Sequence, residues 1–145
     1  MKPLLPIRIL ATVTVALTLL VSLSACGKKS AADKLQEALA QTRTELPMTL
    51  DEDIAWVDAR YDRSANEIVF EYTSRVNDTF TPEQQEVAHE MMVGQILPSF
   101  EADGSEMMAI IRKLRPSVRY IYRWTGDGHA ILDDTCTADE YMPEP

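Results

Sequence analysis

Two histidines, two cysteines and 23 acidic residues are the raw material from which this chain could build a reactive or metal-binding site. His89-Glu90-Met91-Met92-Val93 begins as a helical zinc motif does, with a histidine followed by a carboxylate able to activate water. That motif needs a second histidine four residues on, so that both imidazoles reach the metal from one helix face. Val93 stands there instead, and His89 reads as a helix-surface residue. His129 follows Gly126-Asp127-Gly128, and a base beside a carboxylate is half of a triad. No nucleophile stands in a recognisable setting. Ser105 lacks a glycine-flanked elbow, and Cys136 has no basic sequence neighbour to favour its thiolate. Asp127 and its glycines read as turn formers. Asp51-Glu52-Asp53 lacks the alternating ligands, central glycine and distal glutamate of a calcium loop and reads as a polar lead-in to a strand. No catalytic residue, cofactor or metal is therefore expected. A hydrolase would need a site assembled from distant residues, with His89 or His129 brought to a carboxylate and a nucleophile.

Binding chemistry is better represented. Arg112, Lys113, Arg115, Arg119 and Arg123 crowd into twelve positions of an otherwise acidic chain. On a strand, Arg119 and Arg123 share one sheet face, which could receive an anionic partner, lipid headgroups or an acidic protein surface. The alternative is cross-strand pairing with Glu67, Glu71 or Asp58 on the same sheet. Trp56 falls in the strand register with Ile54, opposite Val57 and Tyr61. It is either an exposed aromatic anchor or covered by a helix. Met91, Met92, Met107 and Met108 could line an adaptable groove, but their helical spacing favours core filling.

The elements that must position these groups follow from periodicity. Ser30 to Asp33 is a capping box opening a helix through Leu35, Ala38, Leu39, Thr42 and Leu46, with Pro47 ending it. Period two from Ile54 to Tyr61 sets Ala55, Val57, Ala59 and Tyr61 against Asp58 and Arg60. From Glu67 to Thr73 it sets Ile68, Phe70 and Tyr72 against Glu67 and Glu71, which completes a hairpin. Thr81-Pro82-Glu83-Gln84 caps a second helix that runs to about Leu97 and stops at Pro98. Ser105 starts a third, with Met107, Ile110, Ile111 and Leu114 at helical spacing, closed by Pro116. Val118 to Trp124 and Ala130 to Asp133 flank the Gly126-Asp127-Gly128 turn as a second hairpin. Residues from Thr135 to Pro145 are expected to fray, with Tyr141 as a tack. The order α-β-β-α-α-β-β predicts an α+β domain in which two β-hairpins form an antiparallel sheet packed against about three helices.

At the other end, Lys2 and Arg8 precede an apolar run from Ile9 to Val21 that leads into Ser22-Leu23-Ser24-Ala25-Cys26. The run is short for a bilayer span, which takes about 20 apolar residues, and it ends in small residues suited to a peptidase. Leu23-Ser24-Ala25-Cys26 resembles the lipobox of bacterial lipoproteins at all four positions. The resemblance implies cleavage before Cys26 and diacylglycerol on its sulfur, usually with a further acyl chain on the new amino group. Gly27 stands where lipoproteins retained at the inner membrane usually carry Asp, which implies the outer membrane. Residues 1-25 are thus read as a cleaved signal peptide, 26-29 as a lipidated tether and 30-145 as one small domain. Lys28 and Lys29 either touch anionic headgroups or belong to a solvated tether.

The chain's formal charge is −9, and without the leader's Lys2 and Arg8 it is −11. Phosphate recognition needs clustered cations in a favourable net field, so nucleic acid is not an expected partner. With Cys26 claimed by the lipobox, Cys136 has no disulfide partner within the chain. It is either a buried small hydrophobe or a free thiol. The expected function is that of a lipid-anchored envelope lipoprotein at the periplasmic face of the outer membrane, a non-catalytic binding or accessory module with an envelope protein as partner. The alternatives are a periplasmic immunity or inhibitor lipoprotein acting on a toxin or hydrolase, and a hydrolase.

Overall fold

The computed structural model describes residues 29–77 and 79–144. The leader, Cys26 and most of the tether lie outside the described residues. The elements run α1 (Ala31–Arg43), β1 (Met48–Thr49), β2 (Ile54–Asp62), β3 (Glu67–Ser74), α2 (Pro82–Ala102), α3 (Ser105–Leu114), β4 (Ser117–Trp124), β5 (Ala130–Cys136) and α4 (Ala138–Tyr141). The α+β class holds. The five strands form one sheet in the order β1-β2-β3-β4-β5, with the helices on one of its faces.

The sheet is mixed, which corrects the antiparallel expectation. Each hairpin is antiparallel, but β3 and β4 join the two hairpins as parallel neighbours, Ile68 beside Val118 and Tyr72 beside Tyr122. The connection between them carries helices α2 and α3. A crossover of that length returns the chain to the same end of the sheet, as a parallel neighbour requires.

Both predicted capping boxes are formed. Asp33 N–H donates to Ser30 Oγ at 3.1 Å and Ser30 N–H to the Asp33 carboxylate at 3.2 Å. Thr81 and Gln84 repeat the exchange at 2.9 and 3.2 Å. Helix α1 ends at Arg43, a turn before Pro47. Helix α2 does not stop at Pro98 but continues to Ala102. Pro98 removes the donor that Gly94's carbonyl would receive, and both residues are exposed, so that carbonyl faces solvent. Just past the proline, Ser99 Oγ donates to Gln95 O at 2.8 Å.

The C-terminus is ordered rather than frayed. Strand β5 runs on to Cys136, and α4 follows, with the Glu140 carboxylate accepting Thr137 N–H at 2.8 Å. Tyr141 does act as a tack, its hydroxyl donating to Pro116 O at 2.6 Å.

A β-bulge between Trp56 and Asp58 changes which side of β2 is buried. Simple alternation puts Trp56 opposite Ala59 and Tyr61, but the extra residue lets Ile54, Trp56, Ala59 and Tyr61 all face the helices. Trp56 is only 2% exposed. An aromatic row crosses the inner face: Trp56 stacks on Tyr72 with centroids 6.4 Å apart, and Tyr72 on Tyr122 at 4.4 Å. Helix residues Leu35, Leu39, Met92, Ile96, Phe100, Met107 and Ile111 close the core over this row.

Asn66 joins two distant segments. It turns the β2–β3 hairpin at φ 50°, a left-handed conformation that asparagine tolerates. Its side-chain oxygen accepts the Tyr61 hydroxyl at 2.7 Å, and its amide donates to Leu114 O at 2.7 Å. Ser117 N–H donates to Asn66 O at 3.0 Å, which ties the hairpin to the start of β4. Asn66→Ala is expected to lower stability by about 2 kcal/mol, because the Tyr61 hydroxyl and the Leu114 carbonyl each lose a partly buried partner. Urea denaturation would measure it, and a change within experimental error would show that the turn does not depend on these bonds.

Candidate functional site

Three chemically distinct side chains converge at the β5 edge of the sheet. Alternation along β5 turns Asp134 and Cys136 to the same inner side, opposite Tyr120 and Val118 of β4. The second turn of α2 places His89 over them. His89 Nδ1 lies 2.8 Å from Asp134 Oδ2 and 3.0 Å from Oδ1, while Nε2 lies 3.1 Å from Glu140 Oε1 of α4. Cys136 Sγ is 3.9 Å from His89 Nδ1 and 3.6 Å from Asp134 Oδ2. Cys136 is fully buried, whereas His89 and Asp134 keep part of their surface. His89 is therefore a bridge between β5 and α4 rather than a plain helix-surface residue.

Environment sets the protonation of the group. Burial lowers the His89 pKa, but hydrogen bonds to Asp134 and Glu140 outweigh it and hold the imidazole above its usual 6.5. Glu140 is held below the ordinary carboxylate value, chiefly by the Thr137 N–H and further by His89. Burial, with Asp134 adding to it, pushes the Cys136 thiol far up.

A histidine, a carboxylate and a thiol are thus together, as a hydrolase would require, but in the wrong order. A relay needs the nucleophile on one ring nitrogen and the orienting carboxylate on the other. Here thiol and Asp134 share Nδ1, and a carboxylate occupies Nε2. A neutral, buried thiol is a poor nucleophile. The arrangement suits holding a proton or replacing it by a cation.

His89 gives the fold a pH dependence. Because its pKa is raised in the folded chain, its stabilising effect is fully present below about 6.5 and is lost as pH climbs through the higher folded value. In urea unfolding, the stability gap between wild type and His89→Gln should be widest in mild acid and narrow toward alkaline pH. A gap independent of pH would contradict this pairing.

Arg119 and Arg123 lie on the outer sheet face, in cross-strand pairs. Arg119 makes two bonds to the Asp133 carboxylate, at 2.8 and 2.6 Å, and lies 4.0 Å from Glu67. Arg123 is 4.0 Å from Glu71 and donates to Gly128 O at 3.3 Å. On β2, Arg60 binds Asp58 at 2.8 Å and Glu71 at 3.2 Å. Under this charged lattice Val69 and Ile121 are 3% and 2% exposed, although they face away from the helices. Val69 pairs in register with Arg60 and Arg119, whose aliphatic stems can cover it. The pairing alternative describes this face. Arg115 lies elsewhere, at the left-handed C-cap of α3, with bonds to Asp139 at 2.7 Å and Met142 O at 3.2 Å.

Trp56 is corrected from candidate anchor to core residue, for the bulge turns its ring inward, where Nε1 donates to Asp58 O at 3.0 Å. Met92, Met107 and Met108 are buried, while Met91 and Val87, one turn apart on α2, are exposed. His129 stays in its turn, 2.6 Å from Asp127. The Asp51 carboxylate accepts the backbone N–H groups of Asp53 and Ile54, the lead-in role expected of it. Lys29 pairs with Glu37. Asp134 and Glu140 were not legible as site residues, because Asp134 fell past the expected end of its strand and Glu140 in a segment expected to fray.

No family model matches the chain, and no curated protein matches it by sequence. Among solved structures, it is similar to a protein described as secreted from Pseudomonas aeruginosa, at 12% identity and TM-score 0.47, covering 79% of this chain and 99% of that one. It is also similar to the type II secretion system pilotin AspS of Vibrio cholerae, at 19% identity and TM-score 0.44, covering 72% and 86%. Among the described residues, no helix is long and apolar enough to cross a membrane.

Proposed function

We propose that this protein is a lipid-anchored envelope lipoprotein that works by binding, as an accessory or assembly factor held at the periplasmic face of the outer membrane. The observation that carries the reading is Leu23-Ser24-Ala25-Cys26 in register behind the apolar run. Each buried methylene of an acyl chain contributes roughly 0.8 kcal/mol, and two or three chains on one cysteine make a durable anchor where a single chain binds reversibly. Helix α1 starts at Ala31, so a lipid on Cys26 would hold the domain within a few residues of the bilayer. Gly27 favours the outer membrane. The neutral, buried thiol at the His89 cluster favours binding over catalysis.

Affinity purification from detergent-solubilised envelopes, with mass spectrometry of co-purifying proteins, tests the binding role. An envelope protein recovered with the wild type is the expected result. Recovery of the lipoprotein alone would contradict it. The acidic balance of the mature chain, −11, favours a second reading as an immunity or inhibitor lipoprotein with a basic target, in which case the co-purifying protein would be a toxin or hydrolase.

A further inference from the structure

The structure assigns a divalent-cation site to His89, Asp134 and Cys136, with the mixed nitrogen, oxygen and sulfur donors that suit Zn2+. One ligand atom from each lies within 4.8 Å of the other two. Tetrahedral zinc, with bonds of about 2.0–2.1 Å to nitrogen or oxygen and about 2.3 Å to sulfur, sets its donors about 3.3–3.6 Å apart. The sulfur stands 3.9 Å from His89 Nδ1 and 3.6 Å from Asp134 Oδ2, already near those separations. Only the Nδ1 to Oδ2 edge, 2.8 Å across, must open, by about half an ångström. That edge is the hydrogen bond whose proton the ion would replace.

The surroundings are those of a ligand set. His89 Nε2 faces Glu140, the carboxylate that fixes the tautomer leaving Nδ1 free to bind metal. Tyr120 pairs in register with Asp134, and Asp134 and Cys136 act electrostatically on it. Its hydroxyl is fully buried and has no hydrogen-bond partner among the described residues, a cost that an ion or an ion-bound water beside it would remove. Thiolate and carboxylate together balance a 2+ charge, so the filled site is neutral. Binding releases the thiol proton and, from a protonated His89, the Nδ1 proton, and affinity therefore weakens as pH is lowered. An ion here would fasten the edge strand β5 to α2, with α4 held through Glu140.

The test uses the acylated protein in detergent, stripped with chelator and titrated with Co2+ as a spectroscopic substitute for Zn2+. One Co2+ per chain is expected, with tetrahedral d–d bands and a thiolate-to-metal charge-transfer band, all displaced by Zn2+. Zn2+ should also raise the Tm. Cys136→Ser should abolish the charge-transfer band. His89→Gln and Asp134→Asn, with folding checked by circular dichroism, should each weaken binding at least tenfold. Cys26→Ser and His129→Ala should leave the spectrum intact. Absence of the bands, their survival in Cys136→Ser, or their loss in Cys26→Ser would overturn the assignment.

Discussion

Trp56→Ala is expected to destabilise the protein by about 3–5 kcal/mol, the range for emptying a large aromatic site in a core. The indole is 2% exposed, stacks on Tyr72 and meets Phe70 edge-on at 5.8 Å. Its removal would leave a void beside the aromatic row that joins β2, β3 and β4. Against a total stability of roughly 5–15 kcal/mol for a domain of this kind, the loss would be large in any denaturation experiment. An exposed docking residue would behave otherwise, with stability changing by about 0.5 kcal/mol or less. A small change in urea midpoint would therefore restore Trp56 to the surface and contradict the bulge that buries it.

The limits of the sequence follow from that example. Alternation placed the inner residues of β3 and β4 correctly, since neither strand is interrupted: Ile68, Phe70 and Tyr72 face the helices, as do Val118, Tyr120 and Tyr122. In β2, one extra residue at the Trp56/Asp58 bulge reversed the face on its N-terminal side, and no residue type announces it. Capping boxes are local hydrogen-bond exchanges and were legible at Ser30 and Thr81. Pro98 misled because its effect depends on exposure, which is a tertiary property. The two hairpins were legible, but their parallel join was not, for it depends on how the helices between them cross the sheet. The His89 cluster belongs to the same class. His89 lies 45 to 51 residues before Asp134 and Glu140, so neither spacing nor motif could join it to them. Arg119 and Arg123 were legible as sharing one sheet face, and Glu67 and Glu71 on β3 were among the partners anticipated, whereas Asp133 on β5, the shortest partner of Arg119, was not.

Cys26→Ser carries the second large effect. Under the proposed anchoring, a chain without this thiol can form no thioether and should escape lipoprotein-type processing, and the domain would lose acyl chains worth roughly 0.8 kcal/mol per buried methylene. Among the described residues no helix can replace that anchor by spanning the bilayer, and Lys29 is already engaged with Glu37. In fractionated envelopes the wild type should be recovered with membranes and released only by detergent. The variant should lose lipid modification, with its soluble-to-membrane ratio changing at least tenfold if the leader is still removed. If it stays as an uncleaved precursor at the inner membrane, its higher mass and altered membrane fraction would report the same failure of processing. A variant indistinguishable from wild type in mass and in fraction would show that the cysteine anchors nothing.

The most direct measurement is the intact mass and N-terminal peptide mass of the protein isolated from membranes. A chain that begins at Cys26 and carries diacylglycerol on its sulfur is the expected result. A mature chain with an unmodified Cys26, or one cut elsewhere, would contradict the lipid anchor and the envelope role built on it.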